Sequence, residues 1–146
     1  MLTQKSLGME EAQRVIAGVV QAARDGNRTM AAVVVDNHGD VIASVRMDGA
    51  PPRFLGTAHR KAYTAAVMGR NTTGLKQWWK DTDGGHGDWN DRMLTTLSGG
   101  LTVLIGSEVV GGIGVGGGNN VTRDPDVAAT GLRALGEGFR SREDWT

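Results

Sequence analysis

Residues 46–66, RMDGAPPRFLGTAHRKAYTAA, decide how the rest of the chain is read. A glycine-ended turn, Arg46-Met47-Asp48-Gly49, runs into a segment whose apolar positions are nearly all alanine. Wound as a helix from about Phe54 to Gly69, at roughly 100° per residue, Leu55, Ala58, Ala62, Ala65 and Ala66 fall on one face. A face that small lets another backbone or a flat ligand come close, so it belongs against a sheet, a neighbouring subunit or a bound molecule. His59 and Tyr63, four residues apart, run along one edge of it, and Lys61 lies on the other edge with Thr64 just beyond.

Upstream, Met30–Val35 and Val41–Arg46 are short β-branched runs either side of Asp36-Asn37-His38-Gly39-Asp40, the pattern of a hairpin. Before them, Met9, Ala12, Val15, Ile16, Val19 and Ala23 recur at helical spacing, with Gly8 as N-cap and Gly26 as the stop. Downstream, Asn71-Thr72-Thr73 opens a shorter helix reaching Trp79 or Lys80. Residues 81–100 are polar and glycine-broken, with a helical turn expected around Trp89–Leu97. Leu101–Ile105 and Val109–Val115 make a second hairpin across Gly106-Ser107-Glu108. Asp124 as N-cap and Pro125 at the first helical position start a last helix reaching Leu135. The order α-β-β-α-α-β-β-α has no linker within it. It predicts one α+β domain over residues 1–146, an antiparallel sheet of about five strands flanked by helices.

At 146 residues a chain can build a core without disulfides or structural metal. Lys plus Arg and Asp plus Glu are 16 each, so there is no basic surplus for nucleic acid. Cysteine is absent, which removes thiolate nucleophiles and thiolate metal sites and suits the cytoplasm. The first residues, MLTQKSLGMEEAQ, carry no signal-peptide core, and no run is long enough to span a bilayer. Cytoplasmic localisation without membrane association is the expectation. Glycine, at 23 residues, is roughly twice the ~7% average and clusters after residue 84 without a period.

His59 suits a ligand to haem iron or a general base near neutral pH, though taken alone a histidine here reads more readily as a surface or half-buried residue bonded to backbone. Lys61 reads as a salt-bridge partner or anion contact rather than a Schiff-base lysine, since nothing in the sequence places it in the interior. His86, with Asp88 and Asp91 in GGHGDWND, offers donors to a divalent ion, but its spacing is also that of a solvent-exposed loop with a capping aspartate. Gly112-Ile113-Gly114-Val115-Gly116-Gly117 formally reads G-x-G-x-x-G. No βαβ unit follows it, so dinucleotide binding is rejected; these glycines let a strand approach another backbone or a ligand. Trp78 and Trp79, adjacent on a helix, cannot both face one core, and Trp89 could act as a lid. No Ser-His-Asp set or nucleophile elbow is present.

Four blocks in order, MAAVVVDNHGDVIASVRMDGA, AHRKAYTAA, GGLTVLIGSEVVGGIGVGGG and RDPDVAATGL, resemble the GlcG/HbpS-like family, which includes the C-terminal domain of PduO-type adenosyltransferases. The resemblance runs from about Met9 to Leu135. It implies a single, profilin-like layered α+β domain assembled into tetramers or octamers, with haem bound by several members and no settled activity for others. Carried over by position, it marks Arg46, Asp48, Gly49, Lys61, Thr64, Gly111, Gly112 and Gly114. His59 is not a fixed part of the family pattern. The chain departs from that pattern at Lys76–Leu97 and at Gly114–Asn120.

Two functions follow, beside a plainer third reading as an oligomeric scaffold or accessory partner without its own ligand. The first is binding of haem or a similar flat molecule by a homo-oligomer, through Arg46, His59, Lys61, Thr64 and Gly114, with His59 as iron ligand. The second is acid/base catalysis on a small molecule, of isomerase, lyase or hydratase type, through Asp48, His59, Lys61 and Tyr63, with His86 and Asp88 joining from the unusual loop.

Overall fold

The computed structural model describes residues 1–143. Its elements are α1 (Met9–Asp25), β1 (Ala31–Asp36), β2 (Val41–Arg46), α2 (Pro52–Met68), α3 (Thr72–Asp81), β3 (Gly100–Ile105), β4 (Glu108–Gly116) and α4 (Asp124–Arg133), with a 3-10 turn at His86–Trp89. The α-β-β-α-α-β-β-α order of the sequence is the observed one.

The sheet has four strands, in the order β2-β1-β4-β3, every neighbouring pair antiparallel. The expectation of about five strands is corrected: beyond β3 the chain contributes a single bridge, Leu104 with Arg140. There the two residues exchange N–H···O bonds of 2.8 and 3.0 Å, which blunts that edge without forming a strand.

Helices cover both faces. Ala12, Val15, Val19 and Ala23 of α1 and Val127, Ala128 and Leu132 of α4 pack with Ala32, Val34, Ile113 and Val115 on one face. Ala58, Ala62 and Ala66 of α2 lie against Ala31, Val33 and Val35 on the other. The spacing of α1 thus buries Ala12, Val15, Val19 and Ala23 of the predicted stripe, with Ile16 partly covered and Met9, at the first turn, left exposed. Glu11 closes its first turn, its carboxylate accepting the Gly8 N–H at 3.0 Å. Its own backbone N–H and that of Gly8 hold the Glu11 carboxyl below the usual carboxylate range.

The glycines of β4 explain the alanines of α2. A Cβ on Gly112 would stand 2.3 Å from the Ala62 carbonyl oxygen, one on Gly114 1.9 Å from that of Ala58, and one on Gly116 2.9 Å from that of Phe54. Every second strand residue, about 6.8 Å on, meets every fourth helix residue, about 6.0 Å on. The two repeats nearly match, so the helix backbone lies directly on the strand backbone along the whole contact. The formal G-x-G-x-x-G is therefore a packing seam.

Local structure departs from expectation at several points, among them α2, which begins at Pro52 rather than Phe54 and ends at Met68. The N-cap of α4 is Arg123, with Asp124 already helical and its carboxylate turned back to accept the Gly118 N–H at 2.7 Å; regular helix ends at Arg133, not Leu135. Asn71 stands at the N-cap of α3 but caps nothing with its side chain. Its amide instead accepts the Thr102 N–H at 2.9 Å and so pins β3. The helical turn expected at Trp89–Leu97 lies earlier, at His86–Trp89, where Asp88 accepts the Gly85 N–H and Asn90, in a left-handed conformation at φ 47°, ends it.

Candidate functional site

Helix α2 sorts the candidate residues by its two edges. On the edge facing β3 and β4, Lys61 is buried, and its Nζ donates to the Val115 carbonyl at 2.7 Å and to Asp124 Oδ2 at 2.9 Å. This is the salt-bridge role read from sequence, but in the interior, tying α2 to β4 and to the first turn of α4. One helical step on, the Thr64 hydroxyl accepts the Thr95 N–H at 3.0 Å and is buried, anchoring the chain that leads into β3. Gly114 lies beneath Ala58 and Ala62, so no ligand reaches its Cα from the α2 side.

The edge facing the β1–β2 hairpin is more open. Tyr63 Oη donates to Asp91 Oδ2 at 2.7 Å, and that bond, helped by burial, raises the phenol above its ordinary pKa. Its ring lies against Gly39, where a side chain would come within 2.7 Å and the φ of 89° already calls for glycine. His59 is half-buried and has no hydrogen-bond partner among the described residues. It lines a groove of about 320 Å³ with Val33, Val41, Ser44, Pro52 and Leu55, open at the free edge of β2.

The other candidates lie apart from this groove. Arg46 and Asp48 line a separate cleft with Arg24 and Arg28, and Arg46 Nη1 donates to the Ala50 carbonyl at 3.0 Å. His86 is exposed and its ring leans against Trp79, tilted by 44° with centroids 5.3 Å apart. Asp88 bonds Gly85, and Asp91 takes the Tyr63 hydroxyl and the Met93 N–H. Among the described residues no group of three His, Asp or Glu side chains converges to hold a metal ion. Trp79 is the buried member of its pair, while Trp78 carries Trp89 at 6.2 Å and Arg70 over its ring at 4.2 Å. No helix among the described residues is long and apolar enough to cross a membrane.

The family model described as "Haem degrading protein HbpS-like" matches residues 7–133. The chain belongs to the HbpS-like family. Among its HbpS-like relatives, GlcG of Escherichia coli strain K12 is 30% identical over 115 residues, 79% of this chain and 84% of GlcG. A double mutant of Streptomyces reticuli HbpS superposes with a TM-score of 0.83 at 28% identity, covering 94% of this chain and 92% of that one. The structure of a PduOC–haem complex, at 24% identity, shares the HbpS-like fold with a TM-score of 0.79 over 90% of this chain and 96% of its own.

Sequence reasoning identified His59 and its edge but missed two partners and a wall. Asp124, Lys61's partner, read as a helix cap, and Asp91, Tyr63's partner, read as a metal donor; Val41 read simply as a strand residue. One signal for the wall was present, Leu55 as the one large side chain on an alanine face; that Val41 opens an edge strand came only with the strand order.

Proposed function

We propose that this chain binds haem or a similar flat, apolar ligand in the groove between α2 and the β2 edge, with His59 as the ligand to iron. The observation that carries the reading is an imidazole with no protein partner among the described residues, set beside Val33, Val41, Pro52 and Leu55. An imidazole nitrogen next to an apolar wall suits an iron porphyrin, whose centre needs a donor and whose ring needs apolar contact. The family's description as haem-degrading supports the same ligand class. Bound haem would bring a redox-active iron; the chain itself supplies the imidazole, the apolar wall and partial exclusion of water.

At about 320 Å³ the groove is at the small end of ligand sites and covers one side of a porphyrin. Val41, at 49% exposed, forms the open lip of the groove, and Val67, at 40%, is a second exposed apolar side chain two turns along α2 from His59. A second copy of the chain would close the open side, making the protein a homo-oligomer, and the absence of cysteine suits a cytoplasmic one. The acid/base alternative is less well supported. Lys61 and Tyr63 are committed to Asp124 and Asp91, and Asp48 lines a different cleft, leaving His59 without a catalytic neighbour.

Haemin titration followed by the Soret band tests this on wild type, His59→Ala and Gly56→Leu. A Cβ at Gly56 meets no atom within 4 Å, and the residue lines the groove, so leucine there fills the site without straining the fold. A shifted Soret band in wild type, changed in His59→Ala and weakened in Gly56→Leu, is expected. An unshifted wild-type spectrum, or identical spectra in all three proteins, rules the proposal out.

A further inference from the structure

The second cleft, on the α1 side of β2, has a different chemistry. It measures about 530 Å³ and takes its walls from α1, from the loop that leads into β1 and from the end of β2. Arg24, Arg28 and Arg46 all line it, and Asp48 is the one carboxylate among its lining residues. In a chain of zero net charge, this is a local positive surplus.

How these arginines are held decides what the surplus does. Arg28 donates through Nε and Nη2 to the Gly117 carbonyl, at 3.2 and 2.7 Å. Arg46 donates through Nη1 to the Ala50 carbonyl at 3.0 Å. A carbonyl fixes a guanidinium in place without neutralising it, so two forks are oriented while their charge stays available. Arg28 keeps Nη1 free and Arg46 keeps Nε and Nη2. Arg24 is exposed, and its guanidinium has no partner among the described residues. It sits in the last turn of α1, where the carbonyl ends of the helix favour a cation. Asn27 and Thr29 add polar groups to the same walls.

We propose that this cleft is a binding site for a small organic anion, held by its carboxylate or phosphate oxygens between Arg24, Arg28 and Arg46. Planar forks already oriented by backbone lose little freedom on accepting a bidentate oxyanion, and such charge-assisted bonds are about twice as strong as neutral ones. The cleft shares no lining residue with the His59 groove and is built against α1 rather than α2, so the two sites load independently.

Isothermal titration calorimetry at constant ionic strength, with no haem added, tests it with two probes, succinate and inorganic phosphate. Saturable binding of one or both is expected, the better probe identifying the oxyanion. Arg24→Gln should weaken it about tenfold, equivalent to about 1.4 kcal/mol, and Asp48→Asn should tighten it. Both residues are exposed, so neither change threatens the fold. Lys80→Gln, which removes an exposed charge from α3, should leave it unchanged. No saturable heat with either probe, or equal weakening by Arg24→Gln and Lys80→Gln, would overturn the proposal. Neither result depends on whether haem binds.

Discussion

Gly114→Ala is the sharpest test of how α2 sits on the sheet. The added Cβ would stand 1.9 Å from the Ala58 carbonyl oxygen and 2.5 Å from the Ala62 nitrogen, against 3.4 Å for ordinary contact, a shortfall of about 1.5 Å at the first. Both opposing atoms are helix backbone, which cannot rotate aside as a side chain would. Relief requires lifting α2 from β4, and that also opens the fits at Gly112 and Gly116. Overpacking of a core costs roughly 1–3 kcal/mol, and rigid atoms on two sides put this case at the upper end, about 3 kcal/mol. For a domain of this size that lowers the melting temperature by about 6–12 °C. The internal control is Gly56→Ala on the same helix, which meets no atom and should gain about 0.5–1 kcal/mol from lower chain entropy and better helix propensity. Urea unfolding followed by tryptophan fluorescence, at fixed protein concentration so that self-association does not intrude, measures both. A Gly114→Ala protein within about 0.5 kcal/mol of wild type would refute the backbone-on-backbone contact.

Other consequences follow from the polar interior. Asp124→Ala strands the Lys61 ammonium, 5% exposed, with a carbonyl alone and should cost about 3–5 kcal/mol. Lys61→Met should cost less, because Asp124 is 21% exposed and keeps the Gly118 N–H; the reverse ranking in urea unfolding would contradict the assignment. Asn71→Ala removes the acceptor of the Thr102 N–H and the donor to the Arg142 carbonyl and should lose about 2–3 kcal/mol; a loss below about 0.5 kcal/mol would show that Asn71 does not pin β3. Tyr63 is the chain's one tyrosine, so phenolate absorbance titrates it directly. Its raised pKa means the Asp91 bond contributes stability in full below the unfolded value of about 10 and loses it as pH rises through the higher folded value. Asp91→Asn should lower the midpoint toward the ordinary value; an unchanged midpoint would show that Asp91 is not the cause.

What was legible in the sequence was what repeats along it. The β-branched runs at 30–35 and 41–46, the apolar spacing of 9–25 and the alanines of 58–66 are all local signals, and each formed the expected element, β1 as a strand buried along nearly its whole length. The extra strand was not there because the chain beyond α4 offers one bridge through Arg140 and no alternating run. Pairing was illegible for a different reason. Lys61 and Asp124 are 63 residues apart and Tyr63 and Asp91 are 28 apart, and no local pattern says which charge or hydroxyl will meet which carboxylate. Aspartate is common as a helix cap, so Asp124 read as one; the loop from Gly117 folds back and uses its carboxylate elsewhere. His59 was visible as a residue, yet its groove became visible only when β2 emerged as a free sheet edge beside α2.

Native mass spectrometry after haemin addition, on wild type and His59→Ala, tests the central claim most directly. It counts subunits and retained haem in the same ions. Expected are wild-type oligomers of more than one chain that carry haem, and His59→Ala oligomers of the same size that carry little or none. Haem held equally by both proteins, or wild-type oligomers that retain none, would contradict the assignment of His59 and its groove.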